Sequence, residues 1–271
     1  MKYNIKLLTL AYLGFLVFNL VSGFFEGAVA ELIFALAFAV PVCAVVVALS
    51  KRSENFSLYE YLGMGSDSAT LLLALGTPTV AAVAGLSYLT ATLIYVTTGQ
   101  TNVINVGDSY FEALVSYAVL PAVLEEALFR YLPMKTLLKY SPRVCVLLSA
   151  VMFAAAHRSL FQLGYAFVAG AVFMIIDIGS GSVLPSLVLH FINNLISLTV
   201  IFYGGNIAVI TALNVIICLL FVLSLAVFVW KRKTVVGKIK ESFIGGEPMG
   251  FDPTPLFFII PTVVLAISEI V

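Results

Sequence analysis

The feature that most limits the fold of this chain is a series of apolar runs, most of them close to twenty residues long, separated by polar loops. About 20 apolar residues in a helix span the hydrocarbon core of a bilayer. This measure gives nine candidate helices. They are approximately Ile5–Phe25, Glu31–Leu49, Thr70–Val96, Tyr110–Leu132, Val144–His157, Leu160–Ile178, Val183–Tyr203, Ile207–Trp230 and Pro255–Ile270. The fifth is short and the ninth contains Pro261 and Glu269, so we predict eight or nine spans.

The composition supports this interpretation. Charged residues make up 10% of the chain, whereas a soluble globular domain carries about 25%. Transmembrane β-barrels instead show short segments of alternating hydrophobicity, which this sequence lacks. We therefore predict an all-α fold: a polytopic membrane helical bundle with eight or nine transmembrane helices around a central intramembrane polar cavity.

The basic residues are concentrated in alternate loops, and such an excess marks the cytoplasmic side of a membrane protein. They are Lys2, Lys6, Lys51, Arg52, Lys135, Lys139, Arg143, Lys231, Arg232, Lys233, Lys238 and Lys240. The other loops carry acidic residues such as Asp108, and only Arg158 departs from the pattern. We expect a multi-pass integral membrane protein with a cytoplasmic N-terminus, in the plasma membrane of a prokaryote or the endoplasmic reticulum of a eukaryote.

Three polar clusters interrupt these runs, and the first is Glu125-Glu126-Ala-Leu-Phe-Arg130. Ionisable groups at membrane depth are costly and usually face a cavity or one another. Glu126 and Arg130 stand one helical turn apart with the acid first, which favours an ion pair. Glu125 lies about 100° away around the helix, so it is free to face another group. An inert ion cluster is the simpler alternative.

The other two clusters contain the only histidines of the chain. Phe153 stands one turn before His157 on the same helix face, which predicts an apolar wall beside the imidazole. His190 and Asn194 also stand one turn apart, in a run where unpartnered polar groups are costly. Both side chains could donate hydrogen bonds to an oxygen that gains negative charge. A silent histidine and a polar helix–helix contact are the alternatives.

Together these clusters supply the groups needed to hydrolyse an acyl bond, and a peptide bond is the substrate we predict. A carboxylate and an imidazole can activate water as a general base. No Ser or Cys stands beside a base as a nucleophile would, and the helical His-Glu-x-x-His zinc signature is missing. A proton- or ion-coupled membrane transporter is the alternative, because the same charges could line a translocation path.

The three clusters resemble the motifs of the CAAX protease and bacteriocin-processing family of intramembrane endopeptidases, also called the Abi family. Those motifs are Glu-Glu-x-x-x-Arg, Phe-x-x-x-His and His-x-x-x-Asn, in this order on separate helices. The resemblance extends from about Leu120 to Leu198, with Tyr131 where the family often has Gly. It implies a catalytic helical core at 110–203, N-terminal transmembrane helices at 1–109, and C-terminal transmembrane helices with a basic cytoplasmic linker at 204–271.

The resemblance also implies a role for each motif residue. Glu125 and His157 would activate water, and His190 with Asn194 would stabilise the oxyanion. The supporting residues would be Glu126, Arg130 and Phe153. The site would open to the cytoplasmic side of the membrane.

The partners expected from the resemblance are membrane lipid and a protein or peptide substrate, with or without a prenylated Cys-a-a-X terminus; no nucleic acid is expected. No cofactor is required by this scheme. Zinc bound by Glu125, His157 and His190 is a minority alternative. A non-proteolytic immunity or scaffold member of the family is a further alternative.

The scheme requires Glu125 and His157 to lie at the same depth in the membrane, which their positions in the sequence do not readily give. If the fifth span runs outward from Val144, His157 lies about 20 Å along it. Glu125 lies a few residues from the cytoplasmic end of its own helix. We therefore expect tilted or short helices, or a deep cavity, if the two side chains meet.

Overall fold

A computed structural model describes residues 2–25, 27–51, 61–65, 67–99 and 106–241 of the chain. Within these ranges the regular structure is helical and contains no strand, so the all-α prediction is confirmed. The predicted ninth span, Pro255–Ile270, lies outside the described residues. So do most of the loop between the second and third spans and the Gly-rich end of the basic linker.

Eight helices of at least fifteen residues run through the described part of the chain. They are α1 (Lys2–Ser22), α2 (Gly27–Ser50), α3 (Ser68–Thr98), α4 (residues 110–137), α5 (Pro142–Ala156), α6 (Leu160–Ser180), α7 (Leu184–Tyr203) and α8 (Ile207–Glu241). Each corresponds to one of the first eight predicted spans. The largest difference is at α8, which continues past Trp230 after a kink at Lys231.

Six of these helices are long and apolar enough to cross a membrane, namely α1 to α3 and α6 to α8. The apolar α5 has only 15 residues. Every 18-residue stretch of α4 contains Glu125, Glu126 and at least one further charged residue. The protein is therefore a polytopic membrane helical bundle, but the predicted total of eight or nine full spans is not confirmed. The two exceptions are the helices that position Glu125 and His157.

Proline explains why two of the helices are irregular. Three π-helical segments, Leu72–Gly76 in α3 and Leu114–Val119 and Ala127–Tyr131 in α4, are each followed at once by an α-helical turn whose second residue is a proline. A proline has no N–H to give to the carbonyl four residues earlier, and its ring clashes with that carbonyl. The wider π turn relieves this conflict, and π turns often occur at functional sites.

The carbonyls that these prolines leave without a helical partner bind side chains instead. Pro133 frees the carbonyl of Phe129, which accepts hydrogen bonds from the Ser149 hydroxyl and from Nη1 of Arg130 at 3.3 Å. In the same way, the carbonyl of Ala74 accepts a hydrogen bond from Ser224 of α8 at 3.3 Å. Buried backbone groups need such partners, so these bonds fix α4 against α5 and α3 against α8.

Short turns join most of the helices, as expected for antiparallel neighbours in a bundle. The start of α1 meets the end of α4, where Asn4 donates to the Thr136 carbonyl at 3.3 Å. The end of α8 meets the start of α3, where Lys238 lies 3.5 Å from Asp67. We call this end of the bundle, with the α4–α5 turn, the basic end. The α1–α2 and α7–α8 turns lie at the other end, which we call the rim end. The shorter α5 brings the α5–α6 turn only part of the way toward it.

The protein core is aromatic between α1, α2 and α4. The rings of Phe15 and Phe38 lie 4.8 Å apart between centroids, and Phe129 meets Phe15 edge-on at 5.6 Å. By contrast, only 6% of the apolar stretch of α8 is buried. A helix that is apolar on all sides and exposed is suited to contact with lipid, so α8 lies at the periphery of the bundle.

Candidate active site

Glu126 is the centre of a buried polar cluster. Its Oε2 lies 3.4 Å from Nε of Arg130, and both side chains are fully buried. This is the ion pair that the four-residue spacing predicts. Its Oε1 lies 2.7 Å from Nδ1 of His190, which donates a hydrogen bond to the carboxylate. The bond to His190 was not predicted, and it means that Glu126 orients an imidazole as well as pairing with Arg130.

Glu125 lies on the other side of the same imidazole. Its Oε2 is 3.9 Å from Nε2 of His190, and its side chain is 15% exposed. His190 therefore has one carboxylate near each ring nitrogen. The predicted difference between the two adjacent glutamates is present: Glu126 is enclosed, and Glu125 faces open space.

That open space is a cavity of about 470 Å³. Its lining residues are Phe15, Asn19, Phe34, Phe38, Glu125, Phe129, Ala156, His157, Arg158, Ser159 and Gln162. Phe15, Phe38 and Phe129 are almost fully buried and form its floor, whereas the polar residues are partly exposed. His190 is not part of the lining and reaches the cavity only beside Glu125. The predicted polar cavity is thus present, with Glu125 and His157 on its wall.

His157 lies in the turn between α5 and α6, directly after the last residue of α5. Its Nδ1 is 2.8 Å from the Phe153 carbonyl. A carbonyl can only accept, so Nδ1 donates, and in the neutral imidazole Nε2 carries the lone pair. Arg158, the next residue, has φ of +50°, a left-handed conformation that is uncommon for a residue other than glycine. This backbone reverses the chain immediately after the imidazole.

The short α5 resolves the depth problem posed by the sequence. Fifteen residues at 1.5 Å each make a helix of about 22 Å, so the α5–α6 turn lies well inside the thickness spanned by the longer helices. Glu125 lies near the middle of α4. Glu125 and His157 therefore lie at similar depth. This agrees with the expectation of a short helix or a deep cavity.

Phe153 separates the charged groups of the site. Its ring meets His157 edge-on at 4.7 Å and His190 edge-on at 5.6 Å. The guanidinium carbon of Arg130 lies 4.3 Å from the centre of the same ring, within the range of a cation–π interaction. The apolar wall that the spacing of Phe153 and His157 predicts is confirmed, and this wall also contacts His190 and Arg130.

Asn194 is the one predicted catalytic residue that the structure does not join to the others. It follows His190 by one turn on α7, is half-buried, and accepts a hydrogen bond from Asn193 at 3.4 Å. Within the described residues it forms no hydrogen bond to Glu125, His157 or His190. Its role in stabilising an oxyanion stays a prediction.

The alternative of a zinc site requires three ligands that converge on one point. Among the residues that the structure describes, no three His, Cys, Asp or Glu side chains are grouped to hold a metal ion. Nδ1 of His190 is bonded to Glu126 and Nδ1 of His157 to a carbonyl, which leaves each Nε2 open, as in a typical zinc-binding histidine. Zinc bound by Glu125, His157 and His190 stays an alternative, and no step below is assigned to a metal.

Sequence reasoning missed two features of the site. The aromatic floor comes partly from α1 and α2, where a phenylalanine in an apolar run gives no signal of function. Asp177 of α6 is fully buried, and its Oδ1 accepts a hydrogen bond from the Ser186 amide at 3.1 Å. An isolated carboxylate inside the sixth predicted span was a signal that could have revealed it.

The mouth of the cavity lies at the rim end. Asn19 is near the end of α1, and Arg158 and Ser159 form the α5–α6 turn. All three are partly exposed, whereas the aromatic floor lies deeper. Most of the basic residues that the structure describes are at the other end of the bundle. The charge distribution therefore predicts a non-cytoplasmic mouth, while the family resemblance predicts a cytoplasmic one.

The fold and the site together define an integral membrane protein with a cluster of carboxylates and imidazoles enclosed by helices. The family model Rce1-like, described as type II CAAX prenyl endopeptidase Rce1-like, matches residues 108–196. This segment contains all three motifs, and the match supports membership of the CAAX protease and bacteriocin-processing family. The resemblance found from the motifs is confirmed, and the family indicates a membrane peptidase. No curated protein and no solved structure matches the chain.

Proposed function

We propose that this protein is an intramembrane endopeptidase of the CAAX protease type that hydrolyses a peptide bond with water activated by Glu125 and His157. One observation carries the proposal: these two side chains line the same cavity inside a membrane bundle. A carboxylate and an imidazole that share a water-accessible cavity can hold a water molecule and remove its proton. The family match supports the same class of reaction.

The hydrogen bond of His157 prepares it for this step. Because Nδ1 donates to the Phe153 carbonyl, the Nε2 lone pair is free to accept a proton. Water between His157 and Glu125 gives one proton to this pair, and its oxygen forms a bond to the substrate carbonyl carbon. The carbon–nitrogen bond then breaks, and the same proton passes to the leaving amine. The products are a carboxyl group and an amine.

We assign the oxyanion to His190 and Asn194. Nδ1 of His190 donates to Glu126, so Nε2 can donate to an oxyanion only from the doubly protonated imidazole. The positive charge of that form would lie between the carboxylates of Glu125 and Glu126. Asn194, one turn further along α7, would supply the second donor after a side-chain rotation. Two such donors are a usual oxyanion arrangement.

The aromatic floor supports a substrate with a bulky apolar group near the bond that is cut. Phe15, Phe34, Phe38 and Phe129 offer an apolar surface to such a group, and buried apolar area is the main source of its binding energy. A prenyl group on a Cys-a-a-X terminus would meet this requirement. A peptide with large apolar side chains would meet it as well.

The test is cleavage of a peptide library by the purified full-length protein in lipid nanodiscs, with and without prenylated cysteine and with and without a chelator. We expect Glu125→Gln and His157→Gln each to lower kcat by about 10²- to 10⁴-fold, the usual contribution of a general base. Glu112→Gln is the matched control, because Glu112 is an exposed carboxylate of the same helix. It should leave the rate unchanged.

Cleavage that survives in Glu125→Gln would contradict the proposed role of that carboxylate. Loss of activity with the chelator would assign water activation to a metal. Proton uptake by liposomes that is lost in Glu125→Gln, without any peptide cleavage, would identify a transporter instead.

A further inference from the structure

Asp177 is a buried carboxylate that the proposed reaction does not use. It lies in the last turn of α6, and none of its side chain is exposed to solvent. Its Oδ1 accepts a hydrogen bond from the backbone amide of Ser186 at 3.1 Å. A buried carboxylate is costly to maintain, so its position requires a physical explanation.

The Ser186 amide that donates to Asp177 belongs to the first turn of α7. The first amides of a helix lack partners within that helix, and a side chain at the N-cap usually accepts from one of them. Val183 occupies the N-cap of α7 and cannot do so. Asp177 supplies this cap from a neighbouring helix. The bond therefore fixes the start of α7 against the end of α6.

Ser186 connects this cap to the catalytic cluster. Ser186 donates its amide to Asp177 and its hydroxyl to the Val183 carbonyl at 2.9 Å. It is fully buried and precedes His190 by four residues, so the two side chains lie on the same face of α7. The capped first turn of α7 thus leads directly to His190, whose Nδ1 is bonded to Glu126 of α4.

We propose that Asp177 is a positioning residue, which caps the first turn of α7 through the Ser186 amide so that His190, one turn further on, keeps its place between the two glutamates. This inference rests on the proposed function for its kinetic consequences. The geometric part, control of the His190 imidazole, stands without it. A displacement of about 1 Å at a catalytic group can lower a rate by about 100-fold.

The chain has two histidines, which allows a direct test. Protein labelled with ¹⁵N-histidine has only two imidazoles to observe, and a His157→Gln sample assigns them. We expect Asp177→Leu, which removes the acceptor, to shift or broaden the His190 Nδ1–H resonance and to leave the His157 resonances in place. Asp177→Asn keeps an oxygen acceptor for the Ser186 amide and should restore the His190 signal.

The kinetic measurement uses the same variants and the peptide assay described above. Asp177→Leu should lower kcat by about 10- to 100-fold with a much smaller change in KM, and Asp177→Asn should recover most of the loss. Ser224→Ala is the matched control, because it removes another buried hydroxyl with a helix–helix hydrogen bond. It should lower thermal stability and change neither the His190 signal nor kcat.

Unchanged His190 resonances and kcat in a folded Asp177→Leu protein would overturn the proposal. If Asp177→Leu does not fold, Asp177→Ala decides, because it also removes the acceptor and introduces a smaller side chain. A wild-type His190 signal in Asp177→Ala would also overturn the proposal. If the wild-type protein cleaves no peptide, the proposed function fails, while the resonance measurement still tests the positioning role.

Discussion

His190 lies between two consecutive glutamates, and the two carboxylates have different surroundings. Adjacent residues on a helix point about 100° apart, so Glu125 and Glu126 reach opposite nitrogens of one ring. Glu126 is neutralised by Arg130, while Glu125 is open to the cavity. Both oxygens of Glu126 face partners, Arg130 and His190, so Glu125 is the carboxylate left to accept a proton in the proposed reaction.

The first prediction concerns the ion pair of Glu126 and Arg130. Arg130→Met leaves a fully buried carboxylate without its cation, so we expect the free energy of unfolding to fall by about 3–5 kcal/mol. The double variant Glu126→Leu/Arg130→Met should be less destabilised than the sum of the single variants, because neither buried charge remains. Thermal unfolding in detergent measures all three. Strict additivity would contradict an ion pair, since contacting residues couple.

The residues of the site were predictable where a polar group interrupts an apolar run. Glu125, His157 and His190 stood out for this reason. Glu125 and His157 line one cavity, and His190 lies beside Glu125. Phe15 and Phe38 could not be recognised, because nothing distinguishes a cavity-facing phenylalanine from a lipid-facing one in the sequence. The bond between Glu126 and His190 joins residues 64 positions apart and depends on packing that local spacing does not encode.

At the scale of elements, α5 and α6 determine where His157 stands. A Cβ on Gly170 of α6 would lie 2.9 Å from the Cα of Ala150 in α5, so the glycine permits the close approach of these helices. Small residues at helix interfaces serve this purpose in membranes. The segment of α5 beyond Ala150 carries Phe153 and leads directly into His157.

The second prediction follows from this contact. Gly170→Ala should force α5 away from α6, because the clash is with backbone, and should lower both the melting temperature and kcat. Gly164→Ala is the control on the same helix, since nothing lies within 4 Å of a Cβ there. It should not destabilise the protein, because alanine favours a helix over glycine by about 1 kcal/mol. Equal effects of the two substitutions would exclude the close contact as the cause.

Most helix boundaries were predicted to within a few residues, because each apolar run ends at polar or glycine-rich sequence, but α8 continues past its apolar run to Glu241. The π-helical segments inside α3 and α4 were not predicted. Pro78, Pro121 and Pro133 were visible in the sequence, but a proline can kink, end or widen a helix. Which outcome occurs depends on partners for the freed carbonyl, and Ser149 supplies one for Phe129 from another helix.

At the scale of the whole molecule, the cavity mouth and the basic residues lie at opposite ends. The positive-inside pattern is a strong determinant of orientation for short loops, and twelve of the 14 Lys and Arg residues belong to the basic end in the sequence. Of the other two, Arg130 pairs with Glu126 inside the bundle and Arg158 lines the cavity. The departure of Arg158 from the pattern is therefore explained by the site.

The third prediction is that the mouth faces away from the cytoplasm. In a variant without Cys43, Cys145 and Cys218, a cysteine introduced as Ser159→Cys should react with a membrane-impermeant maleimide added outside intact cells. Lys139→Cys, at the basic end, should react only after the membrane is opened. The reverse pattern would show that the N-terminus is not cytoplasmic and that the resemblance gives the side of the site correctly.

The brevity of α5 has a consequence for the lipid around the protein. Its length of about 22 Å falls short of a hydrocarbon layer of about 30 Å. The neighbouring lipid leaflet must either become thinner there or admit water, each at a modest energetic cost per ångström. Acyl-chain length is thereby coupled to hydration of the imidazole in the α5–α6 turn. A bilayer of longer chains would therefore lower the proposed activity without any change in the sequence.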